Sequence, residues 1–227
     1  MLGCTGCAAF DVQAVCAGFI YALNAADAML RAGPYRRALV IGSEVMSRVI
    51  DFDDRSTCVL FGDGAGAVAL EASDAPGILA ARMYADGAFD EKVLGLTARL
   101  EGGVVKGSPF ISMDGRQVFK LAVEGLANSA EEVARLAGVS PAEVRLFVPH
   151  QANLRIMTMV ARKLGIADEA MVKTVNEHGN TSAASVPLAL DAAVKAGRVR
   201  SGDLVLLQAV GAGMAWGSAI LKWRDRA

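Results

Sequence analysis

The chain has 227 residues, 23 basic and 24 acidic, for a net charge of −1. Hydrophobic residues make up 53% and charged residues 21%, which excludes a disordered chain and gives no global electrostatic case for nucleic acid or an anionic membrane. The longest unbroken apolar run, Phe19 to Leu23, is far too short for a spanning helix, so a soluble protein is expected.

The N-terminus shows no basic region followed by an apolar stretch, so no signal peptide is visible. Four cysteines without repeated spacing suit a reducing compartment, and a cytoplasmic protein is expected.

Phe10 to Val15 is predicted as a short strand. A helix should run from Ala17 to Arg31, stopped by Gly33-Pro34. Arg37 to Gly42 is apolar along most of its length, the pattern of a strand covered on both faces. Cys58 to Leu70 suggests two strands joined at the GDGAGA turn, and residues 86–117 look irregular. A long helix follows near Val118 to Ala137, with Gly138 as its stop. Ser140-Pro-Ala-Glu143 has the form of a capping box. Then come a strand at Arg145 to Val148, a helix at Asn153 to Leu164 and a strand at Met171 to Val175. A helix at Ser185 to Ala196, a strand at Asp203 to Val210, a glycine turn and a strand at Ala215 to Trp223 close the chain. The alternation implies a layered α/β fold.

A weak internal repeat runs through this order. The offset from Leu39 to Leu204 is 165 and maps Cys16 onto position 181, also just before a helix. The halves are unequal: only 15 residues precede Cys16, so the first half lacks its own opening strand and helix.

Cys16 is the leading nucleophile candidate. It opens a helix, whose unpaired N–H groups and partial positive charge favour a thiolate; a buried structural cysteine is the competing reading. Of the two histidines, His150 follows a strand, where α/β folds place ligands, and His178 lies two residues before Asn180. Asn180 competes as a simple turn residue. Together the three types suit a covalent thioester with two N–H donors for an enolate or oxyanion. GDGAGA and GAGMAWG do not open helices, so a dinucleotide site is disfavoured. Cys4-x-x-Cys7 has no second pair for a metal, and Arg55 sits in a polar loop that could bind an anion.

FDVQAVCAGFIYAL, VLFGDGAGAV, VPHQANLRI, HGNTSAASVPLALDAAV and GAGMAWGSAIL resemble the β-ketoacyl-[acyl-carrier-protein] synthase III family across essentially the whole chain. The resemblance implies a thiolase-like layered αβαβα fold of two pseudo-repeat halves, residues 1–110 and 111–227, the first incomplete. It implies an acyltransferase that condenses an acyl-coenzyme A starter with malonyl-[acyl-carrier protein], with loss of carbon dioxide. Cys16 would accept the acyl group, and His150 and Asn180 would promote decarboxylation and hold the enolate. The backbone N–H groups of Cys16 and Ala212 would form the oxyanion hole, with alanine replacing the family's usual glycine. Arg55, Arg116 and Asn153 would line the coenzyme A and pantetheine tunnel, and Met46, Phe61, Phe119 and Val210 the acyl pocket. Gln151 and Arg155 would receive the carrier protein.

No metal or cofactor is expected, and a homodimer is. Family members begin earlier, so an N-terminally truncated chain, inactive alone, is also expected. A Cys-His-Asn hydrolase and a non-catalytic remnant or subunit are the alternatives.

Overall fold

The computed structural model describes residues 3–89 and 93–225. The expected strand at Phe10 to Val15 does not form. Residues 7–14 carry no regular structure, and Phe10 is 62% exposed. A strand needs a ladder partner for its N–H and C=O groups, and this segment has none among the described residues.

A 3-10 turn at Val15–Ala17 leads into α1 (Gly18–Ala32), which buries Phe19, Ile20 and Leu23. β1 (Arg37–Glu44) pairs antiparallel with β2 (Gly64–Glu71), in register from Arg37↔Glu71 to Glu44↔Gly64. Residues 58–60 are a turn rather than the expected strand, and Phe61 adds only a bridge, to Asn180. Of the GDGAGA glycines, Gly62 precedes β2 and Gly64 and Gly66 lie at its start, so the motif is not a hairpin tip. β3 (Ile78–Ala85) is a further strand whose sequence carries no period-2 alternation.

The 86–117 stretch, expected to be irregular, holds two small antiparallel pairs. β4 (Leu94–Leu96) joins β7 (Ile111–Met113), and β5 (Arg99–Glu101) joins β6 (Val104–Lys106) across Gly102-Gly103, both at positive φ.

α2 (Gly115–Ala137) starts three residues earlier than expected, because the Asp114 side chain accepts from the N–H groups of Arg116 and Gln117. Gly138 ends it at φ 71°. The capping box at Ser140 is present but closes only one 3-10 turn, Pro141–Glu143. β8 (Leu146–Pro149) and α3 (Leu154–Lys163) follow, α3 capped by Asn153. The expected strand at Met171 to Val175 reduces to one bridge, Phe147↔Met171, and the chain then coils into α4 (Val175–His178). α5 (Ser185–Lys195), β9 (Leu204–Gly211) and β10 (Ala215–Lys222) complete the order.

The larger sheet runs β3-β10-β9-β8, with β8 and β9 parallel and the other pairs antiparallel. α2 and α3 cover one face, against Phe147, Leu206 and Ile220. α1 and α5 cover the other, against Leu146, Leu207 and Ala219. The far sides of α1 and α5 carry the β1–β2 sheet. A Cβ at Gly64 would lie 2.9 Å from Leu188, and one at Gly66 3.0 Å from Pro187, so the glycines let α5 sit close on β2.

The described layers are thus α-β-α-β. The outer face of β1–β2 is uncovered among the described residues, and Leu39 and Ile41 are 48% and 53% exposed there. This departs from the two-sided burial expected for β1. The surface area is 12,443 Å². A compact monomer of 23.6 kDa should expose about 9,800 Å².

The two halves repeat with an offset of 167, not 165. The turn at Val15 matches that at Ser182, Gly18 matches Ser185 at the helix start, and Arg37 matches Leu204 at the strand start. Cys16 therefore corresponds to Ala183. β3, from the first range of residues, is hydrogen-bonded into the second half's sheet.

Candidate active site

Cys16, His150 and Asn180 line one cavity of about 720 Å³. Each comes from a different connection: the turn before α1, the end of β8, and the loop between α4 and α5. The walls are mainly apolar, and the volume suits a small organic group.

Cys16 is buried, and burial pushes its thiol up to about 11. A hydrogen bond with Ser182 acts downward and the Glu44 carboxylate upward, both more weakly. The helix start was expected to favour the thiolate. Burial overrides it, so Cys16 rests as a thiol.

The Cys16 amide is pressed against the end of β9. A Cβ at Gly211 would lie 2.7 Å from Cys16 N and 2.9 Å from Ala14 O. Ala212, the next residue, lines the cavity. Glycine is thus required at 211, while the alanine side chain at 212 is accommodated.

His150 is buried, which pushes its imidazole down to about 4 and keeps it neutral at pH 7. Its backbone N–H donates to Gln208 O at 2.7 Å, and its Nδ1 has no partner. A neutral imidazole can donate from one nitrogen and accept at the other.

Asn180 is held on both sides. Its N–H donates to Leu60 O at 2.8 Å, and its C=O accepts from Gly62 N at 3.0 Å. Its Oδ1 accepts from Ser182 N at 2.9 Å, which leaves Nδ2 as the group to donate into the cavity. The preceding Gly179 sits at φ 65°, ψ −159°, a region open essentially to glycine.

Met46, Phe61, Phe119 and Val210 all line the cavity, as does Asn153, whose Oδ1 also caps α3 by accepting from Arg155 N. Arg55 and Arg116 do not line it. Both are exposed; Arg116 follows the lining residue Gly115, and Arg55 lies in the turn before Phe61.

Gln151 corrects an expectation. It is 1% exposed and cannot receive a partner protein. Its Nε2 donates to Pro149 O and Val172 O, and its Oε1 accepts from Thr174 N and Val175 N. It fastens the His150 connection to the segment leading toward Asn180. Arg155 is exposed, and its guanidinium lies 5.8 Å from the centre of the Phe119 ring.

Sequence reasoning missed Glu44 and Ser182, both in the cavity wall. Ser182 Oγ donates to Glu44 Oε1 at 3.2 Å. They are 138 residues apart, and a strand-end carboxylate gives no motif. His178, Cys4, Cys7 and Cys58 do not line the cavity. No cluster of potential metal ligands occurs among the described residues, nor is any of their helices long and apolar enough to cross a membrane.

Two repeated halves that meet around a cysteine, a histidine and an asparagine define the thiolase-like class of condensing enzyme. The comparisons place the chain within that class. Residues 10–87 match the family model for 3-oxoacyl-[acyl-carrier-protein (ACP)] synthase III, and residues 134–223 its C-terminal counterpart. The 3-oxoacyl-[acyl-carrier-protein] synthase III of Aquifex aeolicus VF5 is 46% identical, with a TM-score of 0.89 over 96% of this chain and 68% of that one. The synthase of Pseudomonas aeruginosa PAO1 is 37% identical, with a TM-score of 0.90 over 98% and 69%. The priming β-ketosynthase of the R1128 polyketide pathway is 38% identical, with a TM-score of 0.89 over 96% and 66%. The chain belongs to the 3-oxoacyl-[acyl-carrier-protein] synthase III family, acyltransferases that catalyse the initiating condensation of fatty acid synthesis.

Proposed function

We propose that the chain carries an acyl group from acyl-coenzyme A on Cys16 and condenses it with malonyl-[acyl-carrier protein] to give a 3-oxoacyl-[acyl-carrier protein]. The observation that supports this reading is the convergence of a buried thiol, a neutral imidazole and an oriented amide on one apolar cavity. In the first half-reaction Cys16 Sγ forms a thioester and coenzyme A leaves as its thiol. In the second, the malonyl carboxylate departs as carbon dioxide. The resulting enolate oxygen accepts hydrogen bonds from His150 and Asn180 Nδ2, and its carbon attacks the Cys16 thioester. Two neutral donors in a mainly apolar cavity stabilise that charge without a protonated partner.

The backbone N–H groups of Cys16 and Ala212 would receive the tetrahedral oxyanion. Met46, Phe61, Phe119 and Val210 would hold the starter chain, and Asn153 with Arg116 and Arg55 the pantetheine and nucleotide arm. Arg155, exposed beside the cavity wall residue Phe119, is the candidate contact for an acidic carrier protein. The reaction transfers no electrons to a redox partner, so the proposal includes no cofactor. A homodimer in the cytoplasm completes the reading; the uncovered apolar face of β1–β2 supports association.

Incubation with acetyl-coenzyme A, then with malonyl-[acyl-carrier protein], tests this. The expected results are a 42 Da adduct on the Cys16 peptide, the mass of an acetyl group replacing a proton, and then 3-oxobutyryl-carrier protein. An adduct confined to another cysteine, or carrier-protein product from a Cys16→Ala chain, would overturn it.

A further inference from the structure

The cavity around Cys16 carries one charge and nothing to balance it. Among the described residues that line it, Glu44 brings the only acidic side chain, and no lysine or arginine is present. His150 is buried and neutral at pH 7, so it supplies no compensating cation. Glu44 ends β1 in the cavity wall, where the pairing of its backbone with Gly64 of β2 fixes its place. Its side chain is half-buried and accepts from Ser182 Oγ at 3.2 Å, and it pairs with no basic group among the described residues.

A carboxylate drawn out of water is ordinarily paired. One left unpaired in a mainly apolar wall acts across the cavity, because little is there to screen it. Its field reaches the acyl-accepting atom. Burial accounts for most of the rise in the Cys16 thiol, a Ser182 hydrogen bond opposes it, and the Glu44 charge adds to it. The start of α1, beside Cys16, offers only a partial positive charge, roughly half a unit, which does not offset a full carboxylate.

We infer that Glu44 is a charge filter for the acyl group loaded on Cys16: neutral acyl groups pass, and acyl groups that end in a carboxylate are turned away. This rests on the reading of function above and names the substrate class of that same site. An acyl chain on Cys16 lies in the cavity that Glu44 lines, so a carboxylate at its end would share about 720 Å³ with a like charge and no cation. Loading exchanges one thioester for another. The Cys16 S–H bond breaks, the acyl carbon passes from the coenzyme A sulfur to Sγ, and coenzyme A leaves as its thiol. A carboxylate on the acyl group survives that exchange, so nothing relieves the repulsion. The malonyl group of the second half-reaction differs, because its carboxylate leaves as neutral carbon dioxide and the bonding electrons pass to the enolate oxygen at His150 and Asn180. The filter thus keeps a malonyl thioester from loading Cys16 in place of the starter, and keeps the two half-reactions in order.

The test compares two acyl groups of one shape. Succinyl and isocaproyl share a chain length and a forked end, which is a carboxylate in the first and an isopropyl group in the second. Transfer of each from its coenzyme A thioester to Cys16 is followed at pH 7 by the mass of the Cys16 peptide. The readout is the ratio of the two rates within each variant, so a general effect of a substitution on the site divides out. Wild type should transfer isocaproyl faster than succinyl by roughly 10–100-fold, the scale of like charges held close in a weakly screening medium. Glu44→Gln should shift the ratio toward succinyl by about tenfold or more, and Glu44→Asp, which keeps the charge, should stay near wild type. The same ratio in wild type and Glu44→Gln would overturn the filter, as would wild type that takes succinyl as readily as isocaproyl. Wild type that takes acetyl but neither longer group would place the selection in cavity size and overturn it likewise. Wild type that takes no acyl group from any coenzyme A thioester, with Cys16 still open to alkylation by iodoacetamide, would overturn the reading of function and the filter with it.

Discussion

Val15 and Ser182 share a backbone conformation, at φ 48° and 50°, in positions 167 residues apart. They are the non-glycine residues at positive φ among those described. Each opens a 3-10 turn that runs into a helix, Val15 into α1 and Ser182 into α5. A β-branched residue at positive φ is strained by roughly 1–3 kcal/mol and persists only where its surroundings enforce it. The enforcement is reciprocal: the Val15 turn is pressed by the end of β9 at Gly211, and the Ser182 turn by β1 at Gly42, where a Cβ would lie 2.5 Å from Ala183 O. Each half's strand braces the other half's turn, and this is what brings Cys16 and Ser182 together.

That bracing predicts unequal tolerance at adjacent positions. Gly211→Ala places a methyl group 2.7 Å from Cys16 N and against the backbone on both sides of it. Overpacking against backbone should cost about 1–3 kcal/mol and displace the nucleophile. Acetyl transfer should fall at least tenfold, with a lowered Tm. Ala212→Gly should leave acetyl transfer within a few-fold of wild type. Equal effects at the two positions would refute the bracing.

The pH dependence of stability follows from two buried groups. The Cys16 thiol has its folded value raised from 9.0 to about 11, so the unfolded chain loses its proton first. The stability this group contributes is complete below pH 9 and declines as pH rises toward 11, by roughly 2–3 kcal/mol. His150 has its folded value depressed from 6.5 to about 4. Its contribution is complete above pH 6.5 and is lost as pH falls toward 4, by about 3 kcal/mol. Denaturant melts across pH should therefore show a plateau between about 6.5 and 9, with Cys16→Ala flattening the alkaline edge and His150→Gln the acidic one.

His150→Ala should abolish decarboxylation of malonyl-[acyl-carrier protein] by about 10²–10³-fold while leaving Cys16 acetylation largely intact, because the charge it stabilises exists only in the second half-reaction. Asn180→Ala should share that phenotype with a lower Tm, since Oδ1 also holds Ser182 N at 2.9 Å. Separate assays of the half-reactions check this. Loss of acetylation in a folded His150→Ala chain would make the histidine the base for Cys16.

Much of the site was legible because its residues sit in compact motifs at the ends of elements. VPHQAN and NEHGNTS placed His150 and Asn180, and the helix start placed Cys16. Helix limits followed from caps such as Asp114, Asn153 and Gly138. The strands were harder. β3 has a mixed burial pattern and no alternation, and Phe10 to Val15 has strand composition but no pairing partner among the described residues. Gln151 sits in a motif that suggested docking, yet its burial makes it a fastener. Glu44 and Ser182 could not be paired from sequence, because only the crossed packing of the halves joins them.

Arg155→Glu should raise the apparent KM for malonyl-[acyl-carrier protein] and leave acetylation by acetyl-coenzyme A nearly unchanged. Exposed charges steer association, and salt screens them, so the wild-type advantage should shrink as ionic strength rises. Arg162 and Lys163, exposed at the other end of α3, should show smaller effects. An equal loss with both substrates would instead assign Arg155 to support of the Phe119 wall, over whose ring its guanidinium lies.

The outer face of β1–β2 should govern how the chain behaves in solution. Leu39 and Ile41 stand there opposite Ala69 and Ala67, so a contiguous strip carries no charge and no covering helix among the described residues. Their partners on the inner face, Val40 and Gly42, are buried, so one strand is apolar on both sides but packed on only one. Such a strip, in a sheet that pairs no third strand among the described residues, favours association. The 227-residue chain should therefore sediment as concentration-dependent assemblies. Leu39→Lys with Ile41→Lys places two like charges on the exposed side without touching the packed one. The double variant should shift the chain toward monomer at unchanged helix content, as measured by sedimentation velocity and far-ultraviolet circular dichroism. A wild-type chain that stays monomeric at all concentrations would show that the strip is tolerated in water, and would remove the support it lends to a dimer.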